Sequence, residues 1–282
     1  MTQQLAINDV ISSGKNSYTI TSSLGGDDVA DRYRAHSAAS SAQVLLKVAR
    51  ETDNNTFLRA EAAALSGLNQ RGEAKLAAYA PELFESFDTA GDDGLDRTVN
   101  VMTDTSSFVS LARVAQAFPD GLDARDVAWM WRRLLVAVGY AHRAGIIHTA
   151  VIPENVLVEP AQHGLVLTNW YYAQEAPNLV AASGLFSGRM DIYAPEILDG
   201  EQVNTTADIF MATRTISSLF DNATSQHLTN FARGCMLDSP VARPDDAWEL
   251  LKELDGLLEQ LFGPRRFRPF AMPTRDSSMA SK

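Results

Sequence analysis

Residues 146–158 read Ile146-Ile147-His148-Thr149-Ala150-Val151-Ile152-Pro153-Glu154-Asn155-Val156-Leu157-Val158. The chain on either side of this stretch has two different characters. Directly upstream, Asp123 suits the N-cap of a long helix through Ala141, because Val127, Met130, Trp131, Leu134, Leu135 and Val138 recur at helical spacing. Farther upstream the pattern is that of strands. Residues 18–24 alternate, Gly25-Gly26-Asp27-Asp28 is a turn signal, and residues 42–49 form an aliphatic run. Residues 55–68 carry Phe57, Leu58, Ala62, Leu65 and Leu68 on a helical stripe. Residues 84–87 and 98–102 read as two more strands, with a Gly- and Asp-rich loop over 89–97. A strand-rich first lobe followed by a helical second lobe predicts an α+β architecture. The boundary falls within residues 103–107, giving a first lobe over 1–104, a second over 105–262 and an aperiodic tail over 263–282.

Composition limits the function classes. The 282 residues are 45% hydrophobic and 21% charged, as in a globular chain with ample core material. A net charge of −11 does not suggest a nucleic-acid partner. The single cysteine, Cys235, leaves no internal disulfide and no cysteine-based zinc site, and reads as a buried small hydrophobe. The histidines are dispersed without metal-ligand spacing, and no internal repeat is visible. The first 16 residues lack the basic region and apolar core of a secretory signal, and no apolar run is long enough to span a bilayer. The expectation is a soluble, cytoplasmic protein with no membrane partner.

The 146–158 stretch resembles the catalytic loop of protein kinases, whose pattern is H-R-D-L-x-x-x-N. Other landmarks fall in the family's order. Val44-Leu45-Leu46-Lys47 matches V-A-I-K, and Glu61 fits the glutamate of the N-lobe helix. Leu167-Thr168-Asn169-Trp170-Tyr171 stands at the D-F-G place, and Ala194-Pro195-Glu196 is A-P-E unaltered. Asp208-Ile209-Phe210 fits the start of the large buried helix of the C-lobe, and Arg243-Pro244 fits the arginine that pairs with the A-P-E glutamate. Each motif is weak alone; their shared order over residues 18–260 carries the resemblance. It implies a bilobal kinase-like fold: a small antiparallel-sheet N-lobe with one helix, and a mainly helical C-lobe. Only Ile209 to Ala242 separate Asp208 from Arg243, so the C-lobe is shortened after the Asp208 helix and the family's substrate-docking helix is deleted.

The resemblance divides these residues by role. It implies a structural set that is kept: a buried Glu196–Arg243 ion pair, Asp208 accepting backbone N–H bonds from the 146–158 loop, and Leu65, His148 and Trp170 stacked as a spine joining the lobes. The chemical set departs from the family. A kinase needs a catalytic-loop carboxylate to orient the substrate hydroxyl, and here that position is Ala150. The neighbouring arginine is Thr149, the following lysine is Ile152, and the metal-binding aspartate of D-F-G is Asn169. No metal is expected, because Mg²⁺ favours carboxylate and phosphate oxygens over a neutral amide. The Gly-rich loop aligns with residues 25–32 and keeps only its first glycine, Gly25; Asp27 and Ala30 replace the others. Asp27 and Asp28 would bring negative charge near a triphosphate. Arg32 and Leu45 stand where the family roofs the adenine, and Leu157 keeps the floor. The expectation is that Leu45 and residues 27–32 fill or cap the adenine cleft. No cofactor is expected; ATP is disfavoured.

Several residues admit a plain reading beside a functional one. Lys47 and Glu61 form either a phosphate clamp or a structural ion pair. His148 is a spine residue rather than an acid–base group, and Asn155 braces its loop or holds a cation. Trp170-Tyr171-Tyr172 either plugs the metal cavity or presents an aromatic binding surface. Arg265-Arg266-Phe267-Arg268-Pro269-Phe270 is a solvated tail, or folds back on an acidic body, or docks a partner. The vestigial nucleotide site thus comprises Gly25, Lys47, Glu61, Asn155 and Leu157, with no catalytic residue. The function expected is that of a pseudokinase, a regulatory or signalling module with a protein partner. The alternatives are a divergent ATP-dependent transferase and a nucleotide sensor without turnover.

Overall fold

The computed structural model describes residues 5–91 and 93–273. The first lobe is a six-stranded antiparallel sheet of order β1-β2-β3-β4-β6-β5, formed by β1 (Val10–Ser12), β2 (Ser17–Gly26), β3 (Ala30–Ser37), β4 (Gln43–Ala49), β5 (Leu83–Ala90) and β6 (Asp96–Thr103). Alternation along β4 and β6 separates two faces. Val44, Leu46, Val99 and Val101 join Ile11, Tyr18, Ile20 and Tyr33 in a small core on one face. Leu45 and Met102 point the other way, into the main core. Lys47 shares that second face, which therefore carries the site.

Helix α1 (Asn55–Arg71) packs on the same face. Its buried residues include Leu58, Glu61, Leu65 and Leu68, spaced three or four apart, so Glu61 is turned inward with the apolar stripe. Ala62 and Phe57, placed on the stripe from the sequence, are only partly buried.

The second lobe begins with β7 (Val109–Ser110) and α2 (Leu111–Ala117). Its centre is α3 (Ala124–Arg143), capped by the Asp123 carboxylate and buried along most of its length. After it come β8 (Ile146–Ile147), β9 (Val156–Glu159), β10 (Gly164–Leu167) and β11 (Gln174–Glu175), then α4 (Pro195–Leu198), α5 (Thr205–Ser217), α6 (Gln226–Cys235) and α7 (Ala247–Phe262). Strands β7, β9 and β10 form a small sheet, and β8 pairs with β11. These strand pairings hold both ends of the 146–158 loop. Only helix α6 and a single 3-10 turn (Pro240–Ala242), among the described residues, separate α5 from Arg243, which keeps the C-lobe short. Cys235 is buried and free.

The bilobal α+β expectation holds, with local corrections. Strand β3 was not legible: Ala30-Asp31-Arg32-Tyr33-Arg34-Ala35-His36-Ser37 is charge-rich. Pairing on both edges, with β2 and β4, makes it a strand regardless. The expected 89–97 loop is shorter, because β5 runs to Ala90 and β6 starts at Asp96.

The C-terminal segment takes one of the three readings that its sequence allows. Gly263, at φ 76°, turns the chain back, and residues 264–273 lie along the C-lobe. Phe270 is buried against Phe118 and Trp129, with ring centroids 5.7 and 6.0 Å away. Phe267 lies 4.5 Å from the His163 ring, which stacks on Trp129 at 4.1 Å. Arg268 pairs with Asp123 and Asp126. The folded-back reading of this segment is the correct one up to residue 273; residues 274–282 lie outside the described residues. Among the described residues, no helix is long and apolar enough to cross a membrane.

Candidate functional site

The site lies where α1, β4, the 146–158 loop and residues 167–172 converge. Lys47 is 2% exposed, and its Nζ donates to Glu61 Oε1 and to Asn169 Oδ1, both at 2.6 Å. The ammonium also lies 4.5 Å from the centre of the Tyr171 ring. Glu61 accepts further from Asn100 Nδ2 at 3.1 Å and from the Trp170 N–H at 3.3 Å. The ion pair is therefore dry and fully engaged. It reads as a structural pair and leaves Lys47 no open side toward the cleft.

Asn169, at φ 60°, completes the chain of contacts. While its Oδ1 accepts from Lys47, its Nδ2 donates to Asn155 Oδ1 at 2.8 Å. Asn155 Nδ2 donates to the Ala150 carbonyl at 2.9 Å. The ammonium fixes the amide orientation, because only oxygen can face Nζ. An amide NH₂ thus points at the one oxygen Asn155 could offer a cation. Glu154, the nearby carboxylate of the same loop, is exposed and held by Arg189 through two contacts of 2.9 and 3.0 Å. A divalent cation between Asn155 and Asn169 does not fit this donor set.

Residues 149–152 of the same loop are buried. Ala150 is fully buried beside Leu58, Tyr171 and Tyr172, and Ile152 is 1% exposed in the main core. Thr149 is buried at φ 62°, its hydroxyl donating to the Tyr172 carbonyl at 2.8 Å. Trp170, Tyr171 and Tyr172 are all buried, so the exposed aromatic surface offered as a reading is absent. Tyr171 and Tyr172 wall the site, while Trp170 meets His148 edge-on at 4.4 Å. Burial first, then the Glu61 and Asp27 charges, raises the Tyr171 hydroxyl well above its ordinary pKa.

Leu45 and residues 27–32 were expected to fill or cap the cleft; Asp27, Arg32 and Leu45 line it, but the space is not filled. A cavity of about 440 Å³ remains, lined by Leu24, Arg32, Leu45, Leu157, Asn155 and Asn169 among others. Leu45 is 6% exposed and belongs to the core; it lines the roof without closing the space. Asp27 does something the sequence did not suggest. Its Oδ1 accepts from the Val29 and Ala30 N–H groups, both at 2.9 Å, and its Oδ2 accepts from the Tyr171 hydroxyl at 3.4 Å. A glycine-rich turn offers such N–H groups to phosphate oxygens; here a carboxylate of the turn takes them. Gly25 keeps a left-handed φ of 75°, and a Cβ on Gly26 would come within 2.7 Å of the Ala30 carbonyl oxygen.

The bracing residues lie where they were expected. Glu196 and Arg243 form a bidentate pair, Nη1–Oε1 at 2.8 Å and Nη2–Oε2 at 2.7 Å, with side chains 2% and 0% exposed. Asp208 accepts from the His148 and Thr149 N–H groups, each at 2.8 Å, and lies 3.0 Å from His142 Nε2. His148 Nε2 lies 3.0 Å from the Thr168 carbonyl and its Nδ1 accepts from the Ala150 N–H at 3.2 Å, which sets the neutral tautomer with the proton on Nε2. Burial pushes this imidazole down from 6.5 to about 4. Leu65 lies in the same buried core as Trp170. Asn100 was missed from the sequence. It is fully buried and donates to Leu58 O as well as to Glu61. Its signal was an amide inside the strand stretch Thr98-Val99-Asn100-Val101-Met102.

Comparison with known proteins agrees with the kinase-like fold. No protein-family model matches the chain. A probable serine/threonine-protein kinase of Streptomyces coelicolor is 25% identical over 214 residues, 68% of this chain and 28% of that protein. The serine/threonine-protein kinase PknF of Mycobacterium tuberculosis is 24% identical over 196 residues, 68% of this chain and 40% of that protein. The chain thus spans less than half the length of these relatives. The crystal structure of a kinase domain superposes with a TM-score of 0.69 at 12% identity, covering 89% of this chain and 97% of that one.

Proposed function

We propose that this chain, a domain of protein-kinase-like fold, does not transfer phosphate and acts as a regulatory binding module for a protein partner. The observation that carries the reading is the Asn169 amide, bonded to Lys47 on one side and to Asn155 on the other. Those groups would hold phosphate and metal in a working kinase, and here they satisfy one another. Ala150 supports the reading independently, since no acceptor exists at the position that orients the substrate hydroxyl. The relatives named above are kinases by description, so the loss is proposed for this chain and not for them.

The open cleft favours a second reading, a nucleotide or small-molecule binder without turnover. Its volume of about 440 Å³ lies within the range of ordinary ligand pockets. A thermal shift with ATP, alone and with Mg²⁺ or Mn²⁺, separates the readings. Ligand at one hundred times its dissociation constant stabilises a protein by about 2.7 kcal/mol. The account predicts no metal-dependent shift. A shift with ATP alone supports the sensor, and one that requires metal contradicts the proposal.

A further inference from the structure

The folded-back segment creates a second pocket on the far side of the C-lobe. A cavity of about 350 Å³ opens between the first turns of α3, the end of α7 and residues 263–268. Five arginines line it: Arg125, Arg132, Arg265, Arg266 and Arg268, beside the apolar Leu258, Phe262 and Pro264. No carboxylate lines it. Such a crowd of like charge is unusual in a chain of net charge −11.

Carboxylates outside the pocket wall hold some of these guanidiniums. Arg125 and Arg268 both reach Asp123, Arg268 also pairs with Asp126, and Arg132 pairs with Asp255. Each of these guanidiniums has five N–H donors, so every pairing leaves donors for a ligand. Arg265 and Arg266 are exposed and form no salt bridge among the described residues. The rim is not a loose tail, because Phe267 rests on His163 and Phe270 is buried against Trp129. The Arg125, Arg132 and Arg268 guanidiniums are therefore held in place before any ligand arrives, which lowers the entropy cost of binding, while Arg265 and Arg266 are free to close on it.

We propose that this pocket is a binding site for a phosphoryl dianion, presented free or on a phosphorylated side chain. Guanidinium forks match phosphoryl oxygens in pairs, and the Leu258, Phe262 and Pro264 wall accommodates an apolar neighbour of a phosphorylated residue. The site is separate from the nucleotide cleft and does not depend on the inert reading of that cleft.

The test uses the full chain and three probes: inorganic pyrophosphate, a phosphoserine peptide with apolar flanks, and its unphosphorylated twin. Calorimetry and fluorescence anisotropy are recorded for wild type, for the double variant Arg265→Ala, Arg266→Ala, and for Arg265→Lys, Arg266→Lys. Both positions are exposed, so an unchanged melting temperature certifies the fold. The proposal predicts that pyrophosphate, the phosphopeptide or both bind, at least tenfold more weakly to the alanine pair, with partial recovery in the lysine pair. Pyrophosphate binding alone identifies a free anion as the source; phosphopeptide binding that pyrophosphate displaces identifies a protein-borne one. Equal binding of the twin peptide without pyrophosphate binding, no binding of either phosphoryl probe, or binding that the alanine pair retains in full overturns the proposal.

Discussion

Asn169 Nδ2 donates to Asn155 Oδ1 across 2.8 Å, and this contact closes a line of hydrogen bonds running from Glu61 through Lys47 to the Ala150 carbonyl. An aspartate at position 169 could accept from Lys47 but has no N–H for Asn155. Its carboxylate would face a carbonyl oxygen instead.

Asn169→Asp is therefore expected to destabilise the metal-free protein. An unmet buried polar group costs about 1–3 kcal/mol, and the new carboxylate shares one buried lysine with Glu61. Urea unfolding measures the change. A variant as stable as wild type in the presence of a chelator would show that the amide contact does not hold the site closed.

Glu196→Ala should cost about 3–5 kcal/mol, because it leaves the Arg243 guanidinium buried without its carboxylate. The Leu237 and Asp238 carbonyls retain contacts of 2.6 and 2.8 Å to Arg243 but carry no formal charge to balance it. Chemical denaturation with a two-state fit reads the loss. A cost below about 1 kcal/mol, typical of exposed pairs, would contradict a bracing role.

His148 makes stability depend on pH. Its folded pKa is lowered to about 4 from 6.5, so the unfolded chain takes up a proton that the folded chain refuses. The contribution is fully present above pH 6.5, falls as pH drops below it, and is gone below about 4. A shift of this size corresponds to about 3 kcal/mol. Comparing wild type with His148→Phe between pH 7 and pH 4 isolates it. Parallel acid-unfolding curves for the two proteins would refute the assignment.

What the sequence could show was mostly what survives as order along the chain. His148, Glu196, Asp208 and Arg243 were assigned their roles through the order of the kinase-like motifs, although their contacts span 47 and 60 residues. Contacts outside those motifs were hidden. Nothing near Asp27 in sequence announces that its carboxylate meets Tyr171, 144 residues away, and nothing near Asn100 announces Glu61. The cleft was misjudged for a related reason. Leucine at position 45 is bulky, but whether it fills the cavity or the core depends on the packing of Met102 and α1 around it. Phe267 and Phe270 looked like part of a tail because their partners, His163, Trp129 and Phe118, lie more than 100 residues upstream.

The central claim is that no phosphate is transferred, and incubation of the purified chain with radiolabelled ATP tests it most directly. The reactions contain Mg²⁺ or Mn²⁺ and generic protein substrates, with Lys47→Ala as the background control. The account predicts label no higher than that of Lys47→Ala, in the protein itself and in every substrate. It predicts the same for Ala150→Asp alone, since residues of one catalytic unit are not restored singly. Label transferred by the wild type and absent with Lys47→Ala would contradict the account and make this chain an enzyme.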